Sequence, residues 1–160
     1  MTIQAGDKMP SGAFGVTTDS GAGAISTDEL FSGKKVVFVA LPGAFTATCS
    51  SKHLPGLVAH ADDFASKGVD TVACMSVNDT AVMDAWGKDQ GVGGSVLLLA
   101  DGNGDYAKAL GLDVDLSAFG MGTRATRFAI IVEDGTAKHV AVEEPGKFEV
   151  SSAEGILAQL

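Results

Sequence analysis

One cysteine follows a strongly apolar segment by only a few residues, and that spacing could support thiol chemistry. The segment 36–40 is rich in Val and Phe, a Pro42-Gly43 turn follows it, and Cys49 stands at the expected first turn of a helix. The N-terminal end of a helix carries a partial positive charge, which favours a thiolate over a thiol. The spacing therefore predicts a redox or nucleophilic site, with a buried structural cysteine as the alternative.

Thr46 stands three residues before Cys49 and could cap the same helix. As the N-cap it would place Cys49 at the third helical position, with the Thr46 hydroxyl near the backbone N–H and the sulfur of Cys49. A hydroxyl and free amide donors around a thiolate would form a site for a small oxygen electrophile. Because Thr46 takes the place of the first cysteine of a Cys-x-x-Cys motif, a dithiol exchange protein is not expected.

The elements that would hold these residues alternate between strands and helices. Lys35–Ala40 is nearly continuous in Val, Phe and Ala, which is typical of a strand covered on both faces. The segment before it predicts a possible edge strand at 14–16, a glycine turn at 21–24 and a capped helical turn at 26–31. The segment after it predicts four helices: one over Ser50–Lys67 kinked by Pro55, one capped by Asn78-Asp79 and running to Lys88, a short one over Asp105–Leu110, and a last one opened by a capping box at Ser151–Glu154 and ending at Leu160. The strands predicted between them are Val69–Val77, Ser95–Ala100, Arg127–Glu133 and Ala137–Val142, the last two joined by a hairpin turn at Asp134-Gly135. The segment from Leu112 to Thr126 is expected to be irregular.

Strands separated by helices pair in parallel, and a terminal hairpin adds antiparallel strands. The order therefore predicts an α/β fold with a central mixed β-sheet flanked by helices, in a thioredoxin-like arrangement. At 160 residues the chain fits one domain spanning residues 1–160.

The composition narrows the classes of function. A net charge of −9 argues against binding to nucleic acid or to anionic membrane surfaces. The N-terminus has neither a secretory signal nor an Arg-rich transit peptide, which favours a cytoplasmic protein, or an organellar one from which a transit peptide has been removed. Two cysteines 25 positions apart suit a reducing compartment. Three scattered histidines predict no metal site, Asp101–Asp105 lacks the glycine and glutamate of a calcium loop, and no cofactor motif is present.

The pattern Pro42-x-x-x-Thr46-x-x-Cys49, within Leu41-Pro42-Gly43-Ala44-Phe45-Thr46, resembles the active-site signature of peroxiredoxins. The resemblance is greatest to the subfamily called type five in animals and type II in plants. It covers nearly the whole chain from Gly6 to Leu160. It continues in the segments Lys52–Gly56, Cys74–Asp79, Met83–Lys88, Ala100–Gly104, Asp115–Ser117 and Gly122–Phe128.

The resemblance implies a thiol-dependent peroxidase that reduces hydrogen peroxide and alkyl hydroperoxides, with roles in antioxidant defence and cell redox homeostasis. Cys49 would be the peroxidatic cysteine, which becomes a sulfenic acid. Thr46 would hydrogen-bond the peroxide and the thiolate, and Pro42 would shield the cysteine from water. Arg127 would stabilise the thiolate and orient the peroxide. The alternative is a redox sensor or interaction module that signals through oxidation of Cys49 without turnover.

Two departures from the family pattern bear on the mechanism. Ala47 stands where proline is common, which should loosen the turn slightly. Glu149-Val150-Ser151 stands where animal-type members carry a resolving cysteine, so the resemblance implies an external donor: glutathione with glutaredoxin, or thioredoxin. Cys74 is the remaining candidate for a resolving role, and a buried inert thiol is the favoured interpretation.

Three further expectations concern residues around the site. The resemblance implies a non-covalent homodimer, with Phe45 and the Asp79–Trp86 region as candidate contacts. His53 is either a base for the thiol or a structural hydrogen-bonding residue, and the latter is favoured. Arg124 is either a second cation near the pocket or a surface arginine.

Overall fold

The computed structural model describes residues 2–160 and contains a seven-stranded mixed sheet, a separate two-stranded sheet and several short helices. The strands are β1 (Ala13–Thr18), β2 (Gly21–Ser26), β3 (Lys35–Ala40), β4 (Thr71–Ser76), β5 (Leu97–Ala100), β6 (Asp113–Asp115), β7 (Thr123–Ala125), β8 (Phe128–Glu133) and β9 (Thr136–Val142). The helices are α1 (Thr27–Phe31), α2 (Leu54–Ala59), α3 (Ala61–Ser66), α4 (Thr80–Asp89), α5 (Asp105–Leu110) and α6 (Ala153–Leu157), with a π-helical turn at Cys49–His53 and a 3₁₀ turn at Ser117–Phe119.

The predicted mixed sheet is confirmed, and its centre is formed by β3 and β4. The strand order is β2-β1-β5-β4-β3-β8-β9, in which β3, β4 and β5 run parallel and β8 runs antiparallel to β3. Val36, Phe38 and Ala40 point into one core and Val37 and Val39 into the other. Both faces of β3 are thus covered, as the continuous apolar run predicts.

Of two short elements predicted near the start of the chain, one is confirmed and one is wrong. The helical turn after Ser26 is confirmed as α1, with a complete capping box between Ser26 and Glu29. The glycine turn expected at 21–24 is wrong, because these residues form β2 and pair with β1 in register from Ala13–Ser26 to Thr18–Gly21. Backbone pairing needs no side chain, so a glycine-rich segment can form an edge strand once its partner is in place.

The predicted helix over Ser50–Lys67 is wrong as one element. Its first turn is the π-helical turn, in which the Leu54 N–H donates to the Cys49 carbonyl. Pro55 has no N–H for the carbonyl four residues before it, and the chain widens locally to bonds between residues five apart. A second break falls at His60, between α2 and α3.

The later part of the chain contains more regular structure than predicted. The segment Leu112–Thr126 was expected to be irregular, but β6 and β7 pair within it as a small antiparallel sheet. The hairpin turn at Asp134-Gly135 is confirmed, with positive φ at both residues. The last helix is capped by Ser152 rather than Ser151, and it ends at Leu157. Within residues 2–160, no helix is both long enough and apolar enough to span a bilayer.

Candidate active site

The loop between β3 and the π-helical turn is fixed by side chains from the next strand connection. The Ala44 N–H donates to Asn78 Oδ1 at 3.0 Å, and the Ser76 hydroxyl donates to the same oxygen at 2.6 Å. Asn78 follows β4, whose carboxyl end lies beside that of β3 because the two strands are parallel. Sequence reasoning expected Asn78 only as part of a helix cap, and its role in holding this loop depends on sheet pairing.

Thr46 directly precedes the helical run that contains Cys49, as predicted. Among the described residues the Thr46 hydroxyl forms no cap bond with a helical N–H, and it donates to the Gly43 carbonyl at 2.7 Å. A hydroxyl that donates one hydrogen bond still has lone pairs with which to accept another. Thr46 is therefore placed as an acceptor at the start of the turn, but the side-chain N-cap considered for it is not formed among the described residues.

Arg127 brings a positive charge to the Cys49 sulfur. It directly precedes β8, and the pairing of Phe128 with Ala40 sets it beside the loop that follows β3. Arg127 Nη2 donates to Cys49 Sγ at 3.1 Å, and the cysteine side chain is fully buried. A guanidinium at this distance stabilises a thiolate by charge and by hydrogen bonding.

His53 contacts the second terminal nitrogen of the Arg127 guanidinium. Its Nδ1 accepts a hydrogen bond from Arg127 Nη1 at 2.7 Å, and its Nε2 donates to the Ser151 carbonyl at 2.9 Å. Burial, together with the charge of Arg127, lowers the pKa of His53 to about 4, so the ring is neutral near pH 7. Of the two interpretations left open by the sequence, the structural hydrogen bond is the one that the structure contains.

The wall of the site is completed by the loop after β9. The Phe148 ring lies 4.8 Å from the His53 ring and 5.7 Å from Arg127 Cζ, measured to its centroid. Glu143 Oε2 accepts from the amides of Glu149 and Ser151, at 2.7 and 2.9 Å, and from the Ser151 hydroxyl at 2.6 Å. Burial acts to raise the pKa of Glu143, but these hydrogen bonds outweigh it and lower the pKa. Sequence reasoning missed Glu143 and Phe148, because a surface-type acid and a loop aromatic carry no local signal.

A cavity of about 630 Å³ opens beside these groups. Its lining includes Pro42, Lys52, Phe119, Arg127 and Phe148. The predicted site residues Pro42 and Arg127 therefore face one space, whereas Cys49 and Thr46 are not among its lining residues and Cys49 contacts it only through Arg127. The volume exceeds what hydrogen peroxide needs, and the aromatic side chains offer apolar surface to a larger substrate.

Arg124 supports this cavity from outside its lining. Its Nη1 donates to the Pro42 carbonyl at 3.3 Å, and its Nε donates to the Met121 carbonyl at 2.8 Å. Of the two interpretations of Arg124, the cation near the pocket is the one that these contacts favour, since Pro42 lines the cavity. Arg124 fixes the backbone of the Pro42 loop.

Cys74 is a fully buried free thiol in the middle of β4. It pairs in register with Val39 and lies in the same core as Cys49. Burial raises the pKa of its thiol. These features are those expected of an inert packing residue.

A cysteine at a helix start, with an arginine nitrogen on its sulfur and a mixed sheet behind it, defines a thiol-based redox protein of thioredoxin-like fold. Residues 4–157 match the Redoxin family, and the chain belongs to that family. It is 45% identical over 164 residues to chloroplastic peroxiredoxin-2E of Arabidopsis thaliana, covering 99% of this chain and 70% of that one. It is 43% identical to peroxiredoxin-2B of the same plant, covering 99% and 98%.

The fold comparison agrees with the sequence comparison. The reduced Prx3 of Vibrio vulnificus, solved in complex with hydrogen peroxide, matches with a TM-score of 0.95 and 46% identity, covering 99% of each chain. The predicted resemblance to type II peroxiredoxins and the thioredoxin-like fold are confirmed, and the protein is a thiol-dependent peroxidase.

Proposed function

We propose that Cys49 reduces the peroxide and that Thr46, Arg127 and Pro42 build the site around it. The observation that carries this proposal is the 3.1 Å hydrogen bond from Arg127 Nη2 to Cys49 Sγ. The Cys49 thiolate attacks one peroxide oxygen, so that an S–O bond forms as the O–O bond breaks. The sulfur is oxidised to a sulfenic acid, and the other oxygen leaves as water or an alcohol after taking up a proton.

Each of the other residues has a distinct role in this step. Arg127 stabilises the thiolate before attack and the negative charge on the leaving oxygen afterwards. Thr46, whose hydroxyl already donates to Gly43, accepts a hydrogen bond from the O–H of the peroxide and so orients it. Pro42 lines the cavity with an apolar ring and limits the entry of water.

Loss of turnover in Cys49→Ser is the direct test of this proposal. Peroxide consumption should fall to the uncatalysed rate in the presence of a thiol donor. The same assay separates a peroxidase from a redox sensor, because a peroxidase consumes many equivalents of peroxide per chain and a sensor consumes one. Retention of turnover in Cys49→Ser would show that the reacting group lies elsewhere.

The substrates that suit the cavity are hydrogen peroxide and alkyl hydroperoxides. Phe119, Phe148 and Pro42 give the cavity apolar walls that an alkyl group can contact. Rate constants for hydrogen peroxide and cumene hydroperoxide, measured with the wild type and Phe148→Ala, test this assignment. Phe148→Ala should weaken reaction with the alkyl peroxide more than reaction with hydrogen peroxide.

The thiol donor comes from outside the chain. A sulfenic acid is reduced when a donor thiolate attacks its sulfur, releases water and forms a mixed disulfide, which a second thiol then resolves. Neither Glu149, Val150 nor Ser151 can supply a thiol, and Cys74 is buried in a central strand. We therefore assign glutathione with glutaredoxin, or thioredoxin, as the donor, and steady-state assays with each donor distinguish the two systems.

A non-covalent homodimer is supported by two exposed aromatic side chains near the site. Phe45 is 54% exposed and Phe119 is 77% exposed. Trp86, at the end of the predicted contact region Asp79–Trp86, is fully buried and its indole donates to Ser50 within the same chain, so contacts from this region would come from its other residues. Sedimentation equilibrium should give a dimer for the wild type and a monomer for Phe45→Glu, whereas a monomeric wild type would overturn the assignment.

Two remaining assignments concern the chain as a whole. Residues 1–160 form one domain, as supported by a single central sheet that joins segments from both halves of the chain. The protein acts in the cytoplasm, as supported by two free cysteines, which persist where thiols are kept reduced. A single cooperative unfolding transition and cell fractionation would test the two assignments.

A further inference from the structure

His53 is a buried titratable residue to which the proposed reaction assigns no step. It lies at the end of the π-helical turn that Cys49 begins, and both side chains are fully buried. Its two ring nitrogens have different partners: Nδ1 accepts from Arg127 and Nε2 donates to the Ser151 carbonyl. Because a guanidinium can only donate, these contacts fix which nitrogen carries the proton.

We propose that His53 is a positioning residue that holds Arg127 in the orientation in which its second nitrogen reaches the Cys49 sulfur. The inference rests on the proposed roles of Cys49 and Arg127. Arg127 has four rotatable side-chain bonds, and a single contact to sulfur leaves its planar fork free to rotate. A second contact from Nη1 to His53, at 2.7 Å, fixes the plane of the guanidinium while Nη2 lies 3.1 Å from the sulfur.

The neutrality of His53 is essential to this role. A carboxylate would orient Arg127 equally well, but its charge would offset the positive charge that stabilises the thiolate. A neutral imidazole accepts the hydrogen bond and leaves the full charge of Arg127 directed at the sulfur. His53 therefore supplies orientation without electrostatic cancellation.

A chain of contacts fixes His53 itself. Its Nε2–H donates to the Ser151 carbonyl, and Ser151 is held by Glu143 through its amide and its hydroxyl. The Phe148 ring packs against the imidazole at 4.8 Å. The charges that act on the pKa of the ring are Arg127, which lowers it, and Glu143, which raises it. The loop after β9 thus sets the position of His53, and His53 sets that of Arg127.

Two near-isosteric variants of His53 test the hydrogen bonds of its two ring nitrogens separately. His53→Asn can place an oxygen where Nδ1 accepts from Arg127, whereas His53→Gln can place an amide nitrogen where Nε2 donates to Ser151. We expect His53→Gln to lower the second-order rate constant for hydrogen peroxide by on the order of 10- to 100-fold, because small misplacements of catalytic groups have effects of that size. His53→Asn should retain most of the rate.

A second readout reports directly on the thiolate. The pH midpoint of the 240 nm thiolate absorbance of Cys49 should move upward in His53→Gln and remain near the wild-type value in His53→Asn. Cys74→Ala serves as the background, so that one thiol is observed. His139→Gln and His139→Asn, in β9, are matched controls that should alter neither quantity. Circular dichroism and thermal melts identify any variant that fails to fold.

A double-mutant cycle with Arg127→Lys tests whether His53 acts through Arg127. If it does, His53→Gln should change the rate of the Arg127→Lys enzyme by less than about threefold, because the guanidinium that His53 orients is already absent. Equal effects of His53→Gln in both backgrounds, or a folded His53→Gln with wild-type rate and pH midpoint, would overturn the proposal. Failure of the proposed function is distinct, because it would leave Cys49→Ser fully active.

Discussion

Arg127 and Cys49 are 78 positions apart in the chain, yet Nη2 of the arginine lies 3.1 Å from Sγ of the cysteine. The contact is made possible by the antiparallel pairing of β3 with β8, which sets Phe128 opposite Ala40 at the edge of the sheet where the Pro42 loop begins. The register of β8 against β3 therefore determines the position of the charge that stabilises the thiolate. A shift of one residue in that register would point Arg127 to the other face.

The first prediction concerns the fork of Arg127. Arg127→Lys keeps the charge but has one nitrogen, which cannot reach both His53 and Cys49 in the same geometry. We expect the rate constant with hydrogen peroxide to fall by about 10²- to 10³-fold, the usual effect of losing one preorganised donor. Stopped-flow measurement of Cys49 oxidation checks the value, with Lys138→Arg as a surface control. A loss smaller than fivefold would show that charge alone is sufficient.

Thr46 allows a clean comparison of hydroxyl and shape. Thr46→Val has the same shape without the oxygen, whereas Thr46→Ser keeps the oxygen that donates to the Gly43 carbonyl. We expect Thr46→Val to lose on the order of 10²-fold in reaction with peroxide and Thr46→Ser to stay close to the wild type. Equal rates for Thr46→Val and Thr46→Ser would show that the hydroxyl has no part in the reaction.

Replacement of Cys74 should separate stability from turnover. In Cys74→Ser a hydroxyl is buried in a central strand, and we expect the free energy of unfolding to fall by about 1–3 kcal/mol. Turnover with glutathione and glutaredoxin should be largely retained, because the residue is not exposed to a donor. Urea denaturation and a coupled peroxidase assay measure the two effects. Near-complete loss of turnover in a folded variant would instead make Cys74 the resolving residue.

The buried imidazole predicts how stability changes with pH. The unfolded chain binds a proton at His53 with a pKa near 6.5, but in the folded protein burial and Arg127 lower this pKa to about 4. Between these values the unfolded state binds more protons, so stability is full above about pH 6.5 and falls as the pH approaches 4. The contribution of His53 to this fall is up to about 3 kcal/mol.

Urea denaturation between pH 7 and pH 4 can isolate that contribution. His53→Asn has no titrating ring and should show a flatter dependence of unfolding free energy on pH, whereas the control His139→Asn should match the wild type. His60 acts in the opposite direction, because the hydrogen bond that its ring donates to Asp63 raises the pKa of His60 and favours the folded state at low pH. The prediction fails if His53→Asn and the wild type lose stability in parallel.

Ala47 offers a substitution that should stabilise the protein. It is exposed and occupies the first helical position after Thr46, where proline is favoured because its N–H is not needed. Ala47→Pro should raise the free energy of unfolding by about 0.4–1 kcal/mol by restricting the unfolded chain. A thermal melt and a peroxidase assay should show a higher Tm with unchanged activity, and a lower Tm would mean that the turn cannot accept the proline ring.

Elements with a local cause were predictable from the sequence. The apolar run of β3, the Asp79 cap of α4 and the Asp134-Gly135 hairpin each carry their own signal, and all three are confirmed. In contrast, β2 is a glycine-rich segment that becomes a strand only because β1 pairs with it, and no local signal marks such a strand.

The site was predictable to a similar degree. Cys49 and Thr46 lie close in sequence, so spacing alone points to them. Arg127 was found through family resemblance, since only strand pairing brings it to the sulfur. The contacts of His53 with Arg127 and Ser151 depend on three distant segments meeting, which no spacing rule expresses.

Complete burial of the Cys49 sulfur imposes an order on the catalytic cycle. A peroxide is small enough to enter the cavity lined by Arg127, whose guanidinium contacts the sulfur, whereas a folded donor protein is too large to do so. For a donor of that size to reach the oxidised sulfur, the π-helical turn that Cys49 begins would have to move outward. With a protein donor, the rate of reactivation should therefore level off at high donor concentration, at the frequency of that movement.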